Sequence, residues 1–153
     1  GFSLFANFSF SHGNQVYNAT RRYNELGNGF SNQAASMGRR WVAEGQVTDI
    51  PRVVYGDPAG NNRFSSRWIE DGSYLKLKEL RVEYLLPRSL CAKTKVFQNV
   101  SLSFFVTNVF CITNFPQFDP EVASLSGSSL YRGVETGAYP MTRSYGFSLK
   151  LGF

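Results

Sequence analysis

The chain has 153 residues with a formal net charge of +5, and 42% of them are hydrophobic, enough to build a core, so size by itself excludes little. Many aromatics (14 Phe, 8 Tyr, 2 Trp) beside 14 Gly and only 18% charged residues favour short strands over helices. No run of about 18 apolar residues occurs, which excludes a transmembrane helix but not a transmembrane strand, and basic pairs such as Arg21-Arg22 and Arg39-Arg40 are too scattered to follow a nucleic-acid backbone.

Four segments alternate with period two. In the first, Phe2, Leu4, Ala6, Phe8 and Phe10 share one face against Ser3, Asn7, Ser9 and Ser11, with Phe5 out of place. The next segment after it in period two has Leu80, Val82, Tyr84 and Leu86 on even positions but Leu75 and Leu77 on odd ones, so a one-residue slip at Lys78-Glu79, which a β-bulge supplies, is expected. Its other face then collects Lys76, Arg81 and Glu83. The third sets Val100, Leu102, Phe104 and Val106 against Ser101, Ser103 and Thr107, with Phe105 the misfit. In the fourth, Tyr145, Phe147, Leu149, Leu151 and Phe153 alternate with Gly146, Ser148, Lys150 and Gly152.

The strands expected on this basis are 2–12, 74–86, 100–111 and 144–153, each near the length a tilted strand needs to cross a bilayer. Residues 13–73 and 112–143 form long connections and 87–99 a short one. Outer-membrane barrels keep short turns on the periplasmic side and long loops outside, so the order long, short, long implies extracellular loops at 13–73 and 112–143 and a periplasmic turn at 87–99. In the first loop Val16, Ala19, Tyr23 and Leu26 predict a short helix capped by Gly27, and Gln33 to Glu44 a second one. The chain opens on Gly1 inside a strand, without an initiator Met or signal-peptide pattern, and reads as the end of something longer. Cys91 and Cys111 fall near opposite ends of a strand, roughly 30 Å apart, too far for a disulfide.

The stretch Arg67-Trp68-Ile69-Glu70-Asp71-Gly72-Ser73-Tyr74-Leu75-Lys76-Leu77-Lys78 closely resembles the segment that SusC/RagA-family TonB-linked outer-membrane proteins carry near their C-terminus. Tyr84-Leu85-Leu86-Pro87, Val106-Thr107-Asn108-Val109-Phe110, Phe118-Asp119-Pro120-Glu121-Val122 and Gly137-Ala138-Tyr139-Pro140 followed by Arg143 resemble further family motifs in the same order. Asn14 to Arg22 and Thr48 to Arg52 look familial too. The resemblance implies an all-β, antiparallel, C-terminal segment of a large transmembrane barrel of about 22 strands, with short helices in an extracellular loop and with the plug domain absent from this chain. It also implies import of oligosaccharides or peptides across a Bacteroidota-type outer membrane, with a SusD-like surface lipoprotein as lid and TonB acting through the missing N-terminal part. A soluble carbohydrate-binding β-sandwich is the alternative reading of the same alternating strands.

No enzymatic chemistry, cofactor or metal site is expected. His12 has no acid or nucleophile at a useful spacing. Glu70 and Asp71, neighbours in an extended chain, point to opposite sides and suit a turn with Gly72. Two carboxylates, Asp119 and Glu121, are too few for Ca²⁺. Trp68 and Tyr74 are expected in the aromatic girdle at the membrane interface, and Tyr131, Tyr139, Arg143 and Asp119 as contacts to ligand or lipoprotein. Tyr145, Phe147, Leu149, Leu151 and Phe153, ending in an aromatic, resemble the signal that barrel-assembly machinery reads on a last strand.

Overall fold

A computed structural model describes residues 1–121 and 132–153. In chain order the elements are β1 (Phe2–Ser11), β2 (Gln15–Asn18), α1 (Ala19–Asn24), β3 (Ile69–Asp71), β4 (Tyr74–Leu85), α2 (Arg88–Thr94), β5 (Asn99–Thr113), β6 (Val134–Glu135) and β7 (Ser144–Gly152), with short 3₁₀ turns at Ala35–Arg39 and Ser66–Trp68. They form two compact units, one of Gly1–Asn14, Gly72–Pro120 and Pro140–Phe153, the other of Gln15–Asp71 and Glu121–Tyr139.

The first unit is an antiparallel sheet in the order β1-β4-β5-β7, and it is open, with β1 and β7 as its edges. Its register explains the broken alternation of β4. Asn7 pairs with Glu79 and Phe8 with Leu77, so Lys78 is skipped and the strand changes phase there. Leu75 and Leu77 before the slip therefore share a face with Leu80, Val82 and Tyr84 after it. Across the sheet this aligns Leu4, Val82, Phe104 and Phe147 in one row and Phe2, Tyr84, Leu102 and Leu149 in the next.

The connection 87–99, expected as a bare turn, holds the helix α2. Pro87 presets the backbone at its start, and the helix stops where Lys95 turns left-handed (φ 56°). Cys91 is buried, tying α2 down.

The second unit pairs β2 with β3 antiparallel and with β6 parallel, so segments from both long connections share a small three-stranded sheet. Its core holds Val16, Met37, Ile50 and Trp68. Three expectations are corrected here. Val16 belongs to β2 rather than to a helix, because it pairs with β3 while the Asn18 side chain accepts the Arg21 N–H (2.7 Å) and starts α1 only at Ala19. The helix expected over Gln33 to Glu44 shrinks to the Ala35–Arg39 turn: Gly38 weakens it, and the Trp41 N–H is drawn to the Ile50 carbonyl (2.9 Å). Glu70 and Asp71 are strand residues of β3, since backbone pairing with Gln15 and Val16 outweighs the local turn preference of Asp-Gly.

Candidate functional site

Among the described residues nothing covers the apolar face of the four-stranded sheet. Phe2, Leu4, Phe8, Phe10, Leu102, Tyr145, Phe147 (77% accessible), Leu149, Leu151 and Phe153 are all exposed along it. Soluble monomers rarely expose so many large apolar side chains along one face. At the edge beside α2 the rings of Phe2 and Tyr84 meet at 4.5 Å and those of Phe97 and Phe153 at 5.2 Å.

The opposite face is polar. Ser3, Glu83, Ser103 and Ser148 form one row, and Asn7, Glu79, Thr107 and Ser144 another. The two misfits of the sequence, Phe5 and Phe105, both pair with Arg81. The Arg81 guanidinium lies 5.5 Å from the Phe105 ring centre and donates to Glu79 (2.8 Å). Phe105 in turn lies over Gly146, where any Cβ would collide with its ring. A glycine in β7 is thus covered by the aromatic opposite it, which keeps that stretch of sheet packed without a side chain of its own.

At the end of this sheet from which the long connections leave, the buried Lys76 ammonium donates to the buried Asp119 carboxylate. Both groups are largely out of water, where a countercharge in contact offsets part of the cost of burial. Beside the pair is a cavity of about 320 Å³ lined by Asn108, Phe118, Met141 and Arg143 among others. Asn108 has a left-handed backbone (φ 52°) and its amide donates to the Thr142 carbonyl (2.7 Å). Arg143 fastens the same segments together, donating to the carbonyls of Asn108 (3.2 Å) and Val109 (2.6 Å).

Of the residues expected to contact ligand or lipoprotein, Asp119 and Arg143 therefore meet at one cavity. Tyr139 belongs to the other unit and is exposed (86%), and Tyr131 lies outside the described residues. The two expected girdle residues are placed otherwise. Trp68 is wholly enclosed (0% accessible), its indole N–H donating to the Arg63 carbonyl (3.0 Å), so its ring cannot reach a membrane interface. Tyr74 lies on the polar side: its ring is 5.3 Å from the Lys76 ammonium and its hydroxyl 3.4 Å from Ser9 Oγ. Aromatics that do rim the apolar face are Phe2, Phe10, Tyr84 and Phe153, and plain alternation along their own segments is the signal that finds them.

In the second unit a buried carboxylate organises the basic residues. Glu25 accepts from Arg21 (3.3 Å), Arg67 (3.1 Å) and Ser36 (2.8 Å), and Arg21 also reaches Glu70 (2.5 Å). Desolvation pulls the Arg21 pKa down, but the hydrogen bond to Glu70 and the fields of Glu25 and Glu70 leave it above its ordinary value. Arg67 ends below its ordinary value, because desolvation and the like charge of Arg21 outweigh Glu25. Arg22 donates to the Asn62 carbonyl (2.8 Å), so Arg21-Arg22 is a structural pair and not part of a phosphate-binding stripe. A cavity of about 560 Å³ lies against α1, between Tyr23, Leu26 and Gly137.

No family model matches the chain. Three proteins of Formosa agariphila, TonB-dependent receptors P3, P26 and P39, are 33%, 29% and 25% identical to it over 95%, 95% and 92% of its length. The chain spans only 14–15% of the length of these relatives. Among solved structures, the RagAB peptide importer in its open-open state superposes on all of this chain and 16% of that one, with a TM-score of 0.78 and 27% identity. Its closed-closed state does so with 0.79 and 28%. Similarity along nearly the whole chain, with the same fold in the RagAB importer, makes this chain a segment of a TonB-dependent outer-membrane protein of the SusC/RagA family.

Proposed function

We propose that the chain is the C-terminal part of the barrel of an outer-membrane TonB-dependent importer, which takes up oligosaccharides or peptides together with a SusD-like surface lipoprotein. The observation that carries this reading is the uncovered apolar face, four strands wide and set against a polar face. The strands hold 10, 12, 15 and 9 residues, and about 9–11 residues suffice to cross the hydrocarbon when tilted. Lipid would cover the apolar face and the polar one would line the lumen. A β-sandwich would place a second sheet over the apolar face, and among the described residues nothing covers it.

On this reading 13–73 and 112–143 are extracellular, 87–99 is periplasmic, and further strands would complete the pairing of β1 and β7. Tyr145, Phe147, Leu149, Leu151 and Phe153 serve as the assembly signal of the last strand. Tyr131, Tyr139, Asp119 and Arg143 are the contacts offered to substrate or lipoprotein, Asp119 and Arg143 lining one cavity. The RagAB neighbour is a peptide importer, which favours neither class for this chain over the other beyond that likeness.

The test is surface labelling of intact source cells with an antibody to residues 13–67, followed by uptake of fluorescent oligosaccharide and peptide mixtures by wild-type and gene-deleted cells, with and without a protonophore. Surface signal and protonophore-sensitive uptake that the deletion abolishes are expected. A soluble product of about the mass of this chain would refute the importer and restore the sandwich.

A further inference from the structure

The connection between β4 and β5 carries a feature that substrate import does not use. From Leu86 to Asn99 the chain has three cations, Arg88, Lys93 and Lys95, and no Asp or Glu. All three are exposed, as are Leu90 and Val96 among them. The segment is nonetheless fastened to the sheet: the Leu86 N–H donates to the Val100 carbonyl (2.9 Å), the Gln98 N–H to the Gly152 carbonyl (2.7 Å), and Cys91 is buried. The cations are therefore held beside the end of the apolar rows, next to the ring pairs Phe2–Tyr84 and Phe97–Phe153.

We infer that this segment binds the headgroups of anionic phospholipids, in the leaflet that meets the α2 end of the sheet. The inference rests on the reading of the apolar face as lipid-facing, and adds to it a headgroup preference. Long cationic side chains lay their stems on apolar surface and extend their charges to the headgroup layer, with Leu90 and Val96 entering the acyl boundary beside them. A plainer account, that basic residues complement the C-terminal end of the helix, covers Lys93 and Lys95. It leaves out Arg88, which stands in the first turn where a cation is unfavourable, and the absence of any acid across the segment. Interleaving of cations with exposed apolar residues, continuous with the apolar face, fits a lipid boundary better than an acidic soluble protein.

The experiment uses the full-length protein in a neutral detergent, titrated with phosphatidylglycerol or phosphatidylcholine and read by native mass spectrometry. Wild type is expected to prefer phosphatidylglycerol, more weakly as salt is raised. Each cation removed should weaken that preference about five-fold at low salt. The R88Q/K93Q/K95Q variant should lose nearly all of it, and R88K/K93R/K95R should keep it. An unchanged preference in the glutamine variant overturns the inference, as does cation-dependent cross-linking to an acidic periplasmic protein in its place. Should the glutamine variant fail to fold, judged by heat-modifiable gel mobility, the salt titration of wild type decides: a salt-independent preference, or none, overturns it. Alkaline carbonate extraction separates the two readings. Wild type washed from membranes would sink the lipid-facing sheet itself, whereas wild type that stays but shows no preference sinks the headgroup contact alone.

Discussion

Lys76 and Asp119 are 43 residues apart in the chain, yet they meet as a buried ion pair. Truncating one member of such a pair takes a close countercharge away from a group held in a poorly solvated place. Asp119→Ala is therefore expected to destabilise the protein by about 3–5 kcal/mol, whereas the double variant Lys76→Met, Asp119→Leu, which removes both charges, should lose much less. Thermal melts of the detergent-solubilised full-length protein measure both, and additivity of the two single substitutions would contradict the pairing. In the sequence Asp119 stands out only as part of Asp-Pro-Glu, which suggests a loop or a ligand contact. Its burial is set by a partner on β4, and no local pattern announces that. Trp68 is the converse case: an aromatic beside a strand reads as an interface anchor, but here it forms the core of the second unit.

At the scale of the element, period-two alternation carries the argument. Strands β1, β4, β5 and β7 lie on the four alternating segments, and even the phase slip of β4 at Lys78 is visible as a change of parity in its leucines. The two faces of β7 offer a contrast in one strand. Phe147→Arg, on the apolar face, should cost about 2–4 kcal/mol if that face meets hydrocarbon, while Ser148→Arg on the polar face should be nearly neutral. Urea titration of the protein refolded into lipid vesicles measures each, and equal effects would remove the basis for assigning the faces. Helical elements were less legible. α2 is 7 residues long, too short for periodicity to show, and α1 is set by the Asn18 cap as much as by its apolar residues.

At the scale of the molecule, both edges of the sheet are unpaired among the described residues, and an edge strand offers backbone donors and acceptors to a neighbour. Phe153 follows the edge strand β7 and is largely exposed. Replacing it by Ala in the full-length protein is expected to reduce the amount reaching the outer membrane several-fold on quantitative blots. Unchanged surface levels would mean that the aromatic end of this strand is no assembly signal.

Alternation, strand length and the order of long and short connections are properties of the chain read locally, because a pleated strand sorts its side chains by parity whatever surrounds it. These determined the antiparallel sheet, its bulge and its apolar face directly from the sequence. Tertiary structure alone decided the rest. The parallel pairing of β2 with β6, the ion pair of Arg67 with Glu25, the cover of Phe105 over Gly146 and the meeting of Asp119 with Lys76 all join residues far apart in the chain. Each depends on a register or a buried charge balance that exists only once both partners are in place, so no single stretch of sequence contains it.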